Sequence, residues 1–144
     1  MLFYFTGTGN SLYVARQIEE TPISIPQVLH QENLNFKDEK IGIVYPVYAG
    51  EAPQIVLEFL EKATFETDYF YLILTYGKDV TDAPECIARL LEEKGKHVNY
   101  IHSILMVDNY LPSNGMNLRY NLRFMSFYFY PFFIIVSRIS FYVV

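Results

Sequence analysis

The sequence predicts an α/β domain: a doubly wound, open and mostly parallel sheet of five strands with helices on both faces. Buried strand patterns alternate along the chain with amphipathic helical patterns, which is typical of a parallel sheet covered by helices. The first strand also runs straight into a turn rich in glycine and hydroxyl groups, and a helical pattern begins directly after it. Sheets of this kind bind their ligands at such strand-to-helix turns.

Continuous apolar runs predict the strands, because a strand covered on both faces needs no polar alternation. We expect strands at 2–5, 23–25, 41–45, 69–75 and 98–107. Apolar residues at helical spacing predict helices from 10 to about 20, after Pro53, and from 83 to 94, whereas the polar stretch 27–39 allows only a short or irregular helix. The expected strand order is 2-1-3-4-5, which places a ligand crevice beyond the carboxyl ends of strands one and three.

The turn after the first strand has the composition of a phosphate-binding loop. Helix N-termini favour anions, because their backbone N–H groups and the helix dipole point at one place. The turn has no Gly-Lys-Ser/Thr ending and Leu12 stands where dinucleotide sites have a third small residue, so a monophosphate fits better than a triphosphate or a dinucleotide. No Lys or Arg lies within the first fifteen residues. The predicted phosphate ligands are therefore neutral: Thr6, Gly7, Thr8, Gly9, Asn10 and Ser11. The alternative is a turn that only caps the helix.

Two more loops should meet this turn at the same edge of the sheet. Each places a tyrosine beside a glycine, just beyond a strand. Two aromatic side chains can sandwich a flat ring system while loop backbone groups meet its polar edge. The alternative is that one of the tyrosines packs into the core. The predicted ring-binding residues are Pro46, Val47, Tyr48, Ala49 and Gly50 in one loop, and Thr75, Tyr76 and Gly77 in the other.

The segment Thr-Gly-Thr-Gly-Asn-Ser resembles the phosphate loop of flavodoxins, and with the two aromatic loops the resemblance extends over about residues 1–112. It implies a flavodoxin-like fold, FMN as the cofactor, and a one-electron carrier that meets redox partner proteins, either of the ferredoxin type or a flavin reductase. Phe-Thr-Gly-Thr-Gly-Asn-Ser-Leu, Ile-Gly-Ile-Val-Tyr-Pro-Val-Tyr-Ala-Gly and Val-Asp-Asn-Tyr-Leu-Pro also look like the flavodoxin half of bacterial flavodoxin–ferredoxin fusion proteins. No cysteine follows Pro112, so we expect no ferredoxin module here.

Two other functions fit the same resemblance. One is an FMN-dependent oxidoreductase of the quinone or protoporphyrinogen type on the same fold, and the other is a degenerate domain that holds no cofactor. No residue has the pattern of a dedicated catalytic acid, base or nucleophile, so no catalytic residue is predicted. The carrier therefore stays the leading hypothesis.

Composition limits the partners. Cys86 is the only cysteine, which excludes a disulfide framework and a cysteine-rich metal site within these residues, and its helical context predicts a core or half-buried thiol. The three histidines lack ligand spacing, so no metal is expected. Residues 1–117 hold sixteen acidic and eight basic residues, a net charge of −8 that disfavours nucleic acid. No secretory signal precedes the first strand, so we expect a cytoplasmic protein.

We divide the chain into a flavodoxin-like domain, 1–117, and a C-terminal tail, 118–144. The tail has ten aromatic residues, three arginines and no acidic residue. Three interpretations stay open: a last core helix with an extension, a membrane-associating segment, or a non-native tail left by a lost reading frame. Its uncharged part, 124–137, is shorter than the roughly 20 residues that a membrane-spanning helix needs. The tail is the one candidate for membrane contact.

Overall fold

The computed structural model describes residues 1–107. The predicted domain boundary after residue 117 and the tail 118–144 lie outside the described residues. Within them the strands are β1 (Leu2–Tyr4), β2 (Ile23–Ser24), β3 (Asn35–Lys37), β4 (Lys40–Pro46), β5 (Thr64–Glu66), β6 (Tyr69–Tyr76) and β7 (Tyr100–Leu105). The helices are α1 (Asn10–Ile18), α2 (Ile25–Val28), α3 (Gln54–Lys62) and α4 (Ala83–Glu93).

Five strands form the main sheet, and every neighbouring pair in it is parallel. Their order is β2-β1-β4-β6-β7. Numbered among themselves in chain order, these strands run 2-1-3-4-5, so the predicted doubly wound topology is confirmed. The strand order reverses between β1 and β4, and this switch point is where ligands bind in open α/β sheets.

The sheet carries helices on both faces, as predicted. On one face, Val14 and Ala15 of α1 pack in a cluster with Leu2, Val44 and Ile73. On the other face, the buried side chains of α2, α3 and α4 pack on the alternate positions of the same strands. That larger cluster includes Phe3, Ile43, Tyr45, Leu72, Val56, Phe59, Ile87 and Leu91. Because burial of apolar surface stabilises a fold by about 25 cal/mol per Å², this larger cluster contributes more to stability than the smaller one.

The strands β3 and β5 form a second, two-stranded parallel sheet that the sequence did not predict. Each has three residues, of which only the middle one is half-buried. These middle residues, Phe36 and Phe65, stack on each other at 6.1 Å and lie against Phe3 and Phe59. One apolar residue per strand leaves no periodicity to detect. For residues 27–39 the sequence predicted at most a short or irregular helix.

The predicted strand 23–25 is one residue too long. The structure ends β2 at Ser24, and Ile25 begins the short helix α2 with Pro26 in its first turn. Proline suits this position, because its fixed φ is helical and its missing N–H would have no intrahelical acceptor. Among the helices of residues 1–107, none is long and apolar enough to cross a membrane.

Candidate functional site

The three predicted loops lie at the carboxyl ends of β1, β4 and β6, which are neighbours in the sheet. Contacts between them join all three. The Thr75 carbonyl accepts a hydrogen bond of 2.8 Å from the Val47 backbone N–H, and the Ser11 and Thr75 hydroxyls lie 2.8 Å apart. The structure therefore brings the sequence-predicted residues to one edge of the sheet at the switch point.

The loop after β1 turns into α1 through a left-handed glycine. Gly9 precedes the helix with φ of 98°, a conformation that L side chains rarely adopt. Its backbone N–H donates to the Thr6 hydroxyl oxygen at 2.9 Å, and its carbonyl accepts the first helical hydrogen bond from Tyr13. The first turn of α1 contains no acidic residue. The positive end of this helix therefore faces the loop without a carboxylate to neutralise it.

Ser11 and Thr75 contact each other across the loop. Both side chains are about 1% exposed. Their hydrogen bond attaches the first turn of α1 to the end of β6. Ser11 was predicted as a phosphate donor; in the structure its hydroxyl is buried and hydrogen-bonded to the Thr75 hydroxyl. This pairing could not be predicted, because the two residues are 64 positions apart in the chain.

The loop after β4 is a tight hairpin that holds two residues at positive φ. Tyr48 and Glu51 exchange two backbone hydrogen bonds, of 2.9 and 3.0 Å, around Ala49 and Gly50. Ala49 has φ of 52° and Gly50 has φ of 84°. Left-handed backbone at a residue with a Cβ costs roughly 1–2 kcal/mol, so Ala49 stores strain in this loop. Such strain is concentrated at functional sites, where the surrounding structure fixes it.

Thr81 lies at the candidate site and was not among the predicted residues. It has φ of 49°, which is rare for a β-branched residue. Its backbone N–H donates to the Asp79 carboxylate at 3.0 Å. A Cβ built on Gly50 would lie 2.7 Å from the Thr81 hydroxyl oxygen, so the loops after β4 and β6 touch at this point. Thr81 lies beyond the aromatic loop motif, and no residue pattern around it predicts a positive φ.

The two predicted ring-binding tyrosines differ in their surroundings. Tyr48 is 49% exposed, and its hydroxyl oxygen lies against Gly7 of the first loop. Tyr76 is the last residue of β6 and is half-buried, and its carbonyl accepts a 2.7 Å hydrogen bond from the Met106 backbone N–H. Gly77 follows directly and begins the loop that contains Thr81.

Cys86 is exposed, so the prediction of a core or half-buried thiol is wrong. The buried residues of α4 are Ala83, Ile87 and Leu91, spaced four apart. Cys86 precedes Ile87 by one position, which turns it about 100° away from the apolar side of the helix. Its thiol donates to the Asp82 carboxylate at 3.5 Å, and this hydrogen bond, with a smaller effect of burial, raises the pKa of the thiol.

A polar depression of about 520 Å³ lies elsewhere, between α2, β3 and the end of α3. It is lined by residues 29–35 and Lys62 and shares none of its lining with the three loops. It is open to solvent and mostly polar, unlike the enclosed apolar pockets that hold most small ligands. The convergence of loops at the switch point is the better candidate site.

Among solved structures, one from Bacteroides uniformis, provisionally described as a flavoprotein, matches with a TM-score of 0.59. The chain has a flavodoxin-like fold. The two proteins are 15% identical, and the match covers 75% of this chain and 90% of the other. No protein-family model and no curated protein matches the chain. At this identity the likeness establishes the shared fold and leaves the ligand to be argued from the site.

Proposed function

We propose that the three loops bind FMN and that the protein is a one-electron carrier. The observation that carries this proposal is the meeting of a hydroxyl-rich loop at the start of α1 with two strained loops at the switch point. The flavoprotein description of the Bacteroides uniformis protein supports a flavin in this fold. Bound FMN would supply the redox chemistry, while the protein binds and orients it and sets its potential.

The first loop fits a phosphate monoester. Thr8 is exposed at the turn, and the first turn of α1 adds the dipole and backbone N–H groups of a helix N-terminus. Ser11 contributes its backbone and fixes the turn through Thr75. Neutral donors without a lysine suit one phosphate better than the chain of phosphates in a nucleoside triphosphate.

The other two loops fit a flat aromatic ring. Tyr48 lies in the loop after β4, Tyr76 ends the neighbouring strand β6, and the backbone of the hairpin Tyr48–Glu51 is fixed by two hydrogen bonds. Fixed loops lower the ordering cost of binding, because little freedom remains to be lost. The net charge of −8 in residues 1–117 should disfavour any additional negative charge on the bound flavin, which lowers its potential.

The proposed partners are redox proteins of the ferredoxin type or a flavin reductase. The test is anaerobic reduction of the FMN-loaded protein by a flavin reductase, followed by visible absorbance. A carrier should accept electrons and return them to an acceptor protein, without steady turnover of NAD(P)H and a quinone. Steady turnover by the protein alone would favour the FMN-dependent oxidoreductase instead. A purified protein that binds no flavin would contradict both functions.

A further inference from the structure

Tyr48 reaches the phosphate loop with its hydroxyl group. Its backbone belongs to the hairpin after β4, yet its hydroxyl oxygen lies against Gly7 in the loop after β1. We propose that Tyr48 binds the phosphate end of the ligand through this hydroxyl and thereby makes the site selective for a phosphorylated flavin. This inference rests on the proposed function, and it assigns the Tyr48 hydroxyl a role at the phosphate in addition to the ring contact proposed for its side chain.

The chemistry of the loop favours such a donor. Among residues 1–15 there is no Lys or Arg, so no cation of the first loop meets the phosphate charge. A phenolic hydroxyl can donate one hydrogen bond, and bonds from neutral O–H groups to anionic oxygens are short and stronger than those between neutral groups. A hydroxyl at the rim of the loop therefore adds a directional contact that riboflavin, which lacks the phosphate, would not use.

Gly7 admits this hydroxyl. Gly7 does not have a positive φ, unlike Gly9, Gly50 and Gly95, so its backbone conformation does not require glycine. A Cβ built on it would lie well inside van der Waals contact with the Tyr48 hydroxyl oxygen, but 3.7 Å from the Tyr48 ring carbon Cζ, an ordinary contact distance. The missing side chain at position 7 thus makes room for the hydroxyl group and not for the ring.

The hairpin fixes where Tyr48 can reach. Its N–H and carbonyl are both bonded to Glu51, and the preceding N–H, of Val47, is bonded to the Thr75 carbonyl. Thr81 contacts Gly50 from the other side. With the backbone held at these points, the side-chain torsions of Tyr48 are the main freedom left, and a contact with the first loop costs little ordering.

The test compares FMN with riboflavin by fluorescence titration of wild-type protein, Tyr48→Phe and Tyr48→Ala, with urea unfolding to show that each variant is folded. Tyr48→Phe should weaken FMN binding about tenfold and change riboflavin binding less than about twofold, because only the hydroxyl is removed. Tyr48→Ala should weaken FMN at least as much. Equal effects of Tyr48→Phe on both flavins, no effect on either, or tighter FMN binding would each overturn the inference.

Gly7→Ala provides a second, independent test of the inference. In wild-type protein the added methyl group should displace the Tyr48 hydroxyl and weaken FMN binding, whereas in the Tyr48→Phe background the same change should have little further effect. Equal losses in both backgrounds would overturn the inference. If wild-type protein binds neither flavin, the proposed function fails and the inference fails with it. FMN binding that Tyr48→Phe leaves unchanged contradicts the inference alone.

Discussion

The hydroxyl oxygens of Ser11 and Thr75 lie 2.8 Å apart in a buried contact between α1 and β6. Each is the hydrogen-bond partner of the other, so removing one leaves the other buried without a partner. An unsatisfied buried polar group costs about 1–3 kcal/mol, whereas replacing both partners with apolar groups of similar shape is nearly neutral. This hydrogen-bonded pair therefore fixes the first turn of α1 on the sheet.

We predict that Ser11→Ala and Thr75→Val each lower the free energy of unfolding by about 1–3 kcal/mol. The double variant should lose clearly less than the sum of the two, since neither hydroxyl remains unpaired. Urea unfolding of the four proteins without ligand measures this coupling. Strictly additive losses would show that the two hydroxyls do not depend on each other.

A side chain at position 42 is expected to clash with the Tyr71 ring and to lower stability. The Tyr71 ring lies across Gly42 on the neighbouring strand, where a Cβ would overlap the ring carbons and the hydroxyl. Overpacking of this kind costs typically about 1–3 kcal/mol, so Gly42→Ala should lower the unfolding free energy by that amount. In a Tyr71→Ala background the same change should cost much less. An equal cost in both backgrounds would place the strain in the backbone of β4 instead.

Stability should fall at alkaline pH because of Tyr45 and Tyr71. Burial raises the pKa of Tyr71 to about 12 and that of Tyr45 still further, from the ordinary value of about 10. The unfolded chain therefore releases these protons near pH 10 while the folded protein keeps them, so the stability contribution present below pH 10 is lost as pH rises through 12.

Thermal unfolding between pH 8 and 12 checks this expectation. Tyr71→Phe and Tyr45→Phe should each flatten the alkaline decline. The Tyr45 hydroxyl has no hydrogen-bond partner among the described residues, so Tyr45→Phe should also leave stability at pH 7 unchanged or higher. Tyr100→Phe, which removes the hydroxyl of an exposed tyrosine, is the matched control. A decline as steep in the Tyr45 and Tyr71 variants as in wild-type protein would contradict the assignment.

Cys86 should react slowly for an exposed thiol. The hydrogen bond to the Asp82 carboxylate raises its pKa, and the thiolate is the reactive form. We predict that Asp82→Asn shifts the pH profile of iodoacetamide alkylation to lower pH, measured by mass spectrometry on folded protein. Glu92→Gln, farther along the same helix, is the matched control. An unchanged profile in Asp82→Asn would show that the carboxylate does not protect the thiol.

The main sheet could be predicted because its strands are continuous apolar runs, and the site loops could be placed because they follow those strands. Contacts between the loops could not be predicted, since they depend on strand register. The pairing of Ser11 with Thr75 and the approach of Tyr48 to Gly7 join residues that are far apart in the chain. The strands β3 and β5 were missed because each offers a single apolar residue.

Helix phase explains the wrong prediction for Cys86. The apolar residues around Cys86 correctly predicted α4, but a shift of one position along a helix is enough to move a side chain from the core to the surface. Thr81 was missed for another reason. Its strained backbone depends on contact with Gly50 and on the Asp79 carboxylate, and neither leaves a residue pattern.

The central claim is that the loop after β1 holds the phosphate of FMN, and a titration of FMN against riboflavin tests it most directly. Wild-type protein should bind FMN more tightly than riboflavin, FAD or NAD. Thr8→Ala should weaken FMN by about 1–3 kcal/mol and leave riboflavin nearly unaffected, because a charge-assisted hydrogen bond to the phosphate is lost. Thr64→Ala, at an exposed threonine of β5, should change neither. Equal or tighter binding of riboflavin, FAD or NAD by the wild-type protein would contradict the claim.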